Sequence, residues 1–289
     1  MSKKIIGITF LLTSSLFYGL YGIFYRSIGA FGPFSQGWVR NLLIIIFVSI
    51  LFLIDKAKWK KIEKRDLKWF LIWILPASIQ PILTFIAFNH LPIATTYFLN
   101  YSTMILGGII SGRIFFSEKS TPSKIFAILL VLVGLFIIYG SEINFIANIY
   151  VICALLSGLI LGFWNTLSKK VSNNYSEFQM IILDCFSTVV IGLIGSIVMK
   201  ESLPTIFDPN TWIWVVVFAL VNICATFSII RGFKNVEAQV GSIILPMEIV
   251  FASIFGFIFF KEVLKFNIYL GGFFILFAAI VSNLKLAKS

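Results

Sequence analysis

The sequence contains few charged residues. Asp, Glu, Lys and Arg make up only 12% of its 289 residues, whereas 59% are hydrophobic and the mean hydropathy is +1.00. A soluble domain carries roughly 25% charged residues, so this chain has about half of the charge that a water-facing globular surface requires. The composition excludes a soluble enzyme.

Residues for metal, disulfide and nucleophile chemistry are also scarce. The chain has one histidine, His90, and its three cysteines, Cys153, Cys185 and Cys224, lie far apart within apolar stretches. This spacing provides neither a C-x-x-C metal site nor a disulfide framework, and a lone histidine favours a structural loop residue. The sequence has no Gly-rich phosphate loop. We therefore expect no cofactor, no metal site and no direct use of ATP.

Long apolar runs dominate the chain instead. A helix needs about 20 apolar residues to cross a hydrocarbon core about 30 Å thick, and ten segments meet this requirement. The predicted spans are 5–25, 34–54, 69–88, 93–115, 124–140, 147–168, 178–199, 211–230, 240–260 and 267–284. The longest remaining loop is 55–68, which leaves no room for an extramembrane domain. We predict an all-α integral membrane protein whose first helix is retained, because no small-x-small cleavage site follows it.

The basic residues are distributed unevenly among the loops. The chain has 23 Lys and Arg against 12 Asp and Glu, a net charge of +11. If the N-terminus lies inside, 18 of the 23 fall on cytoplasmic loops and ends, four fall outside, and Arg40 lies within a span. This is the bias of the positive-inside rule. It predicts an inner, or cell, membrane location with both termini cytoplasmic, and it removes the reason to expect a nucleic-acid partner. The basic run 56–68 either contacts anionic lipid heads or is simply solvated.

The second half of the chain repeats the first at an offset of 144 residues. Gly112 to Glu118 and Gly256 to Glu262 share the pattern G-x-I-F-F-x-E. Five spans per unit place the second unit in the opposite orientation, which is an inverted repeat. We predict two five-helix repeats, residues 1–144 and 145–289, that form one transmembrane domain around a central cavity.

Several short motifs have the arrangement of a known family. They are Arg40 in the second span, the segment 87–94 between spans three and four, Glu118 and Glu262, and Pro246 in the ninth span. With them the chain resembles the EamA-type permeases of the drug/metabolite transporter superfamily, which have ten helices in two repeats. The resemblance implies alternating-access transport of small metabolites, commonly export of amino acids. Ser102 stands where the second repeat has Pro246, so a helix break like that of the family is expected more firmly in span nine than in span four.

Away from the ends of the predicted spans, in the hydrocarbon core, the sequence places three charged residues: Arg40, Asp184 and Glu248. A charge at the bilayer centre costs at least about 2.5–3.5 kcal/mol on insertion scales, so each is a functional candidate. We hypothesise that Arg40 and Glu248 face one cavity, where Glu248 balances Arg40 or contacts a cationic substrate group. Glu248 and Asp184 are candidates for proton coupling. The alternatives are snorkelling of Arg40 to the interface and structural roles for the two carboxylates.

Uncharged polar and aromatic residues within the spans complete the predicted substrate site. They are Thr96, Asn100 and Thr103 on one face of span four, Tyr18 and Tyr21 in span one, Gln80 in span three, and Trp164 with Asn165 in span six. Helical periodicity places the span-four residues on a common face. Bonding between helices is an equal alternative for the polar residues, and an interfacial position is one for the tyrosines.

The sequence favours a secondary active transporter of small polar metabolites, most simply amino-acid-like ones. A lipid or lipid-precursor flippase is the alternative within transport. A membrane-embedded transferase is less well supported, because the carboxylates occur singly and histidine clusters are lacking, so we expect no enzymatic activity. The small-residue pairs Gly108 with Gly112 and Ala252 with Gly256 suit either internal packing or a dimer contact, which leaves monomer and homodimer open.

Overall fold

The regular secondary structure is helical throughout the residues that the computed structural model describes, namely 2–28, 31–54, 59–143, 149–202 and 208–282. The twelve helices are α1 Lys3–Gly19, α2 Tyr21–Ser27, α3 Pro33–Ile54, α4 Lys64–His90, α5 Ile93–Phe116, α6 Pro122–Tyr139, α7 Ile149–Val171, α8 Glu177–Val198, α9 Pro209–Asn235, α10 Ala238–Ile244, α11 Met247–Phe260 and α12 Phe266–Val281. A short 3-10 turn, Gly140–Glu142, follows α6.

Along the chain these helices form ten units, when each broken helix is counted once. Within the described ranges, nine units are long and apolar enough to cross a membrane, with α1–α2 and α10–α11 each counted as one. The tenth, α12, has 16 described residues. The predicted all-α membrane fold with ten helices in two inverted repeats is confirmed.

The predicted start of the third span is wrong. Helix α4 begins at Lys64 rather than at residue 69, so the predicted loop 55–68 is shorter than expected. The apolar run underestimates the helix because charged residues such as Asp66 occupy its first turn, where a negative charge complements the helix dipole. Part of this loop, 55–58, lies outside the described residues, as do Lys285 and Lys288 at the C-terminal end.

Two of the ten units are broken in the middle. Helix α10 ends at Ile244 and α11 begins at Met247, with Pro246 at the junction. Because proline has no backbone N–H to donate, this break was predictable and is confirmed, and the corresponding span, α5, is continuous. The break between α1 and α2 at Leu20 contains no proline and was not predicted. Helix α4 continues through both Pro76 and Pro81.

The closest helix contacts join one repeat to the other. Helix α5 packs on α7, α3 on α8, α1 on α9, α4 on α7, and α6 on α12. The side chains that are fully buried include Trp73, Phe218, Phe233 and Leu11. The core therefore lies between the two repeats, which makes the two halves parts of a single packed body.

A glycine contact holds α5 against α7, and its loss should destabilise the protein. A Cβ atom at Gly158 would overlap the backbone carbonyl of Asn100 and the hydroxyl of Thr103, whereas one at Gly37 would meet no atom within 4 Å. We expect Gly158→Ala to lower the free energy of unfolding by about 1–3 kcal/mol, since backbone atoms cannot yield. Gly37→Ala, the matched control, should be neutral or stabilising by up to about 1 kcal/mol. Thermal unfolding in detergent measures both, and equal melting temperatures would contradict the packing described here.

Candidate functional site

Six tyrosines surround a cavity that runs from one end of the bundle towards its middle. The cavity has a volume of about 340 Å³ and is lined by Tyr18, Tyr21, Tyr25, Tyr97, Tyr101 and Tyr139, together with Arg26, Glu248 and Glu262. We refer to it as the tyrosine vestibule. Its volume is within the range of about 300–1,000 Å³ that is usual for ligand sites.

Two smaller compartments adjoin the vestibule. The Asn100 compartment, about 180 Å³, is lined by Asn100, Thr84, Asn165, Gln80, Trp164, Tyr18 and Glu248 among others. The Arg40 compartment, also about 180 Å³, is lined by Arg40, Asp184, Cys185, Thr188, Asn222, Thr226, Gln80, Trp164, Tyr18 and Tyr21 among others. Tyr18 borders all three spaces, so they lie side by side in the middle of the bundle.

The vestibule opens at only one end of the bundle. Its rim carries Arg26 and Glu262, whose side chains are 57% and 46% exposed and form an ion pair of 2.5 Å. We call this the Glu262 end. At the opposite end, the Glu118 side chain is only 6% exposed and is held by Lys169 and by the start of α10. We call this the Glu118 end, and in the described residues it is closed.

Glu248 lies where the helix break opens the middle of the bundle. It occupies the first turn of α11, directly after the Pro246 junction, and borders both the vestibule and the Asn100 compartment. The Tyr101 hydroxyl lies beside its carboxyl group. A carboxylate is favoured in the first turn of a helix. The break therefore places an acidic group in the centre of the site without burying it in a dry contact.

Arg40 lies in its own compartment on α3. Its guanidinium carbon is 4.3 Å from the centroid of the Phe218 ring and 6.0 Å from that of the Tyr21 ring. Its Nε and Nη1 atoms are buried without a hydrogen-bond partner among the described groups. Buried donors without an acceptor are costly. The arrangement stabilises a cation and leaves two donors for an acceptor that a ligand can supply.

Asp184 faces the same compartment as Arg40. The indole Nε1 of Trp164 donates a hydrogen bond of 2.9 Å to its Oδ1, and the Trp164 ring stacks on Trp73 at a centroid distance of 6.4 Å. The ion pairs of the described residues do not join Asp184 to Arg40. Asp184 is therefore held by a neutral donor and lines the same compartment as Arg40 without forming an ion pair with it.

The other predicted residues divide into two groups. Six of them line the vestibule or one of the two smaller compartments, namely Tyr18, Tyr21, Gln80, Asn100, Trp164 and Asn165. Thr96 and Thr103 do not belong to the linings: their hydroxyls donate to the carbonyl oxygens of Pro92 and Leu99 on their own helix, at 3.2 and 2.8 Å. Satisfied in this way, a threonine can be buried without facing a cavity.

The expectation of one cavity shared by Arg40 and Glu248 needs a correction. The two residues line neighbouring cavities, and Tyr18 and Tyr21, whose rings are 4.9 Å apart, belong to the linings of both. The tyrosines Tyr97, Tyr101 and Tyr139 of the vestibule were not predicted. The four-residue spacing of Tyr97 and Tyr101 on one helix was the available signal.

The protein has ten helices in two inverted repeats and a polar central cavity that is open at one end. This architecture is typical of membrane transporters. The model of the EamA-like transporter family matches residues 5–140 and 148–284. The chain therefore belongs to the EamA-like transporter family.

Two further similarities agree with this assignment. An uncharacterised transporter of Helicobacter pylori (strain J99) is 18% identical over 257 residues, which cover 86% of this chain and 85% of that protein. One solved crystal structure has the same fold, with a TM-score of 0.84 and 15% identity over 96% of this chain and 98% of its own. At this level of identity the solved structure supports the fold alone.

Proposed function

We propose that the protein is a secondary active transporter that exports small zwitterionic metabolites, amino-acid-like in chemistry, by alternating access. The observation that carries the proposal is the pair of opposite charges in neighbouring cavities that share Tyr18 and Tyr21 in their linings, with Glu248 in one cavity and, in the other, Arg40, whose Nε and Nη1 have no hydrogen-bond partner among the described groups. A carboxylate of the cargo would accept the free Arg40 donors, and its ammonium group would face Glu248. Paired charges of this kind recognise a zwitterion in a site where an unpaired charge is costly.

Glu248 also supports a mechanism for coupling. A single carboxyl group can hold either a proton or the ammonium group of the cargo. If the two compete for Glu248, transport exchanges protons for substrate, which is antiport. Asp184 is a second candidate for a proton site, since it lies beside the Arg40 compartment with one neutral donor.

The positive-inside rule orients the proposed transporter in the cell membrane. The Glu118 end, which also carries Lys3, Lys124 and Lys169, would face the cytoplasm, and the tyrosine vestibule would open to the outside. In this orientation the open vestibule would belong to the outward-open state of the proposed exporter.

A small cargo is favoured over a lipid by the position of the apolar groove. An apolar groove of about 610 Å³ runs along α9 and is formed by Pro209, Trp212, Ile213, Val216 and Val217. It shares no lining residue with the three central compartments. A flippase would instead need a lipid-facing opening that continues into its polar site.

Transport in proteoliposomes tests the proposal. The purified protein is reconstituted, and movement of a panel of radiolabelled amino acids is measured with and without a pH gradient, beside a fluorescent-lipid scrambling assay. We expect saturable movement of at least one zwitterion, accelerated by the gradient, and no increase in lipid movement. Lipid movement without amino-acid movement would favour the flippase instead.

A further inference from the structure

The two glutamates that the repeat relates, Glu118 and Glu262, have the same local structure at opposite ends of the bundle. Each follows a residue in the left-handed region, Ser117 with φ 53° and Lys261 with φ 56°. The backbone N–H of Glu118 donates to the Gly112 carbonyl at 3.0 Å, and that of Glu262 to the Gly256 carbonyl at 3.3 Å. Both side chains fold back over the glycine of their own helix. The chain therefore presents an identical carboxylate at each end.

At the closed end the carboxylate is fully engaged. Glu118 accepts hydrogen bonds from the backbone N–H groups of Ala238 at 2.7 Å and Gln239 at 3.0 Å, the first residues of α10. The Lys169 ammonium lies 3.3 Å from the same carboxylate and also donates to the Val236 carbonyl at 2.9 Å. Hydrogen bonds between a carboxylate and the N–H groups at the start of a helix are charge-assisted and therefore among the stronger hydrogen bonds in proteins. They tie α5 of the first repeat to α10 of the second.

At the open end the equivalent connection is not made. Glu262 pairs with Arg26, and this pair is about half exposed at the rim of the vestibule. A Cβ atom at Gly256 would meet only Glu262, whereas one at Gly112 would also meet the Gln239 side chain of α10 at 2.9 Å. Among the described residues, Gly256 is therefore covered by Glu262 alone, whereas Gly112 is also packed against a residue of α10.

The offset of 144 residues identifies the missing partner. It relates Ala238 to Ala94 in the first turn of α5, Val236 to Pro92, and Lys170, the neighbour of Lys169, to Arg26. The basic residue of the open end is thus already bound to its glutamate. The contact that remains is the one between Glu262 and the start of α5.

We propose that Glu118 and Glu262 are the two gating residues of the transport cycle, each capping the start of a helix in the opposite repeat when its own end is closed. In the opposite state Glu262, still paired with Arg26, accepts the Ala94 N–H and closes the vestibule, while Glu118 releases Ala238 and Gln239. This inference rests on alternating access in the proposed function, but it is independent of the identity of the cargo.

Two cysteine reporters related by the same offset test the exchange. In a variant with Cys153, Cys185 and Cys224 replaced by alanine, Ser253→Cys reports access at the vestibule and Ile109→Cys reports access at the equivalent position of the other end. A membrane-permeant maleimide measures both rates, so the result does not depend on membrane orientation. When Glu118 and Glu262 are unchanged, we expect the cysteine at position 253 to react faster with the maleimide than the cysteine at position 109.

Neutral substitutions at the two glutamates should shift these rates in opposite directions. Glu118→Gln should lower the ratio of the 253 rate to the 109 rate by about tenfold, the order expected when charge-assisted bonds become neutral ones, and Glu262→Gln should raise it. Lys169→Gln should act in the same direction as Glu118→Gln. Glu63→Gln, the same change at an exposed carboxylate, should leave the ratio unchanged.

The outcomes separate this inference from the proposed cargo. Reciprocal shifts without any amino-acid transport would support the gates and reject the cargo. If Glu118→Gln and Glu262→Gln moved the ratio in the same direction, or if neither moved it while transport remained, the gating role would be overturned. Labelling after denaturation gives the total reactive protein, so a variant that fails to fold is recognised. If Glu118→Gln does not fold, the ratio of the two labelling rates in Lys169→Gln tests the gating role instead.

Discussion

Replacing Glu248 with glutamine should abolish the acceleration of transport by a pH gradient. The amide keeps the size of the side chain and its position at the Pro246 break, but it neither releases a proton nor attracts an ammonium group. Hydrogen bonds to charged groups contribute roughly 1.5–3 kcal/mol, and about 1.4 kcal/mol changes an equilibrium constant tenfold. We therefore expect an apparent affinity for a zwitterion that is lower by about tenfold to a hundredfold. Initial rates in proteoliposomes, with and without the gradient, measure both effects.

The control for this experiment is Glu63→Gln, which makes the same chemical change at a carboxylate whose side chain is 58% exposed. Its transport should remain at the level of the unaltered protein, because exposed ion pairs contribute little. If Glu248→Gln kept both its affinity and its response to the gradient, Glu248 would have a structural role and the coupling mechanism would be wrong. Loss of coupling in Asp184→Asn alone would transfer the role to Asp184.

Replacing Arg40 with alanine should raise the KM for a zwitterionic cargo by about tenfold to a hundredfold. The buried Nε and Nη1 donors have no acceptor among the described groups, so a substrate carboxylate that binds them gains charge-assisted bonds of the size given above. The same substitution should change the KM much less for a cargo whose carboxylate is replaced by an amide. Uptake kinetics for the acid and its amide, in both proteins, measure the difference.

Arg40→Lys separates charge from shape. Lysine retains the positive charge but lacks the planar fork that allows two parallel bonds to a carboxylate, so its KM should lie between those of arginine and alanine. If Arg40→Ala transported acid and amide as the unaltered protein does, the stacking of Arg40 on Phe218 would be its whole role. A melting temperature that falls equally in both variants would identify this structural contribution.

The helices could be predicted from the sequence because a membrane span is set by length and hydropathy, which are local properties. The break at Pro246 was predictable for a similar reason, since the missing N–H of proline is a property of one residue. The break at Leu20 was not, because no residue in that turn lacks a donor. Gly19, the last residue before the break, packs closely against the backbone of Ala252 in α11, a contact between distant parts of the chain.

The cavity face of α5 shows why the site was only partly predictable. Periodicity grouped Thr96, Asn100 and Thr103, but the face that lines the cavities carries Tyr97, Asn100, Tyr101 and Met104. The two faces differ by a rotation of the helix, and polarity could not choose between them because threonine hydroxyls bond their own helix. Likewise, the apolar spans identified Arg40 and Asp184 as charged residues inside the membrane, but they contained no information on which cavity each one faces.

Recognition of both charges of the cargo is the central claim, and a derivative series in proteoliposomes tests it most directly. An amino acid that the protein moves is compared with its amide, which lacks the carboxylate, and with its N-acetyl form, which lacks the ammonium group. The account predicts that each derivative is transported far less well than the parent, that Arg40→Ala reduces the difference for the amide, and that Glu248→Gln reduces it for the N-acetyl form. Equal transport of all three compounds by the unaltered protein would contradict it.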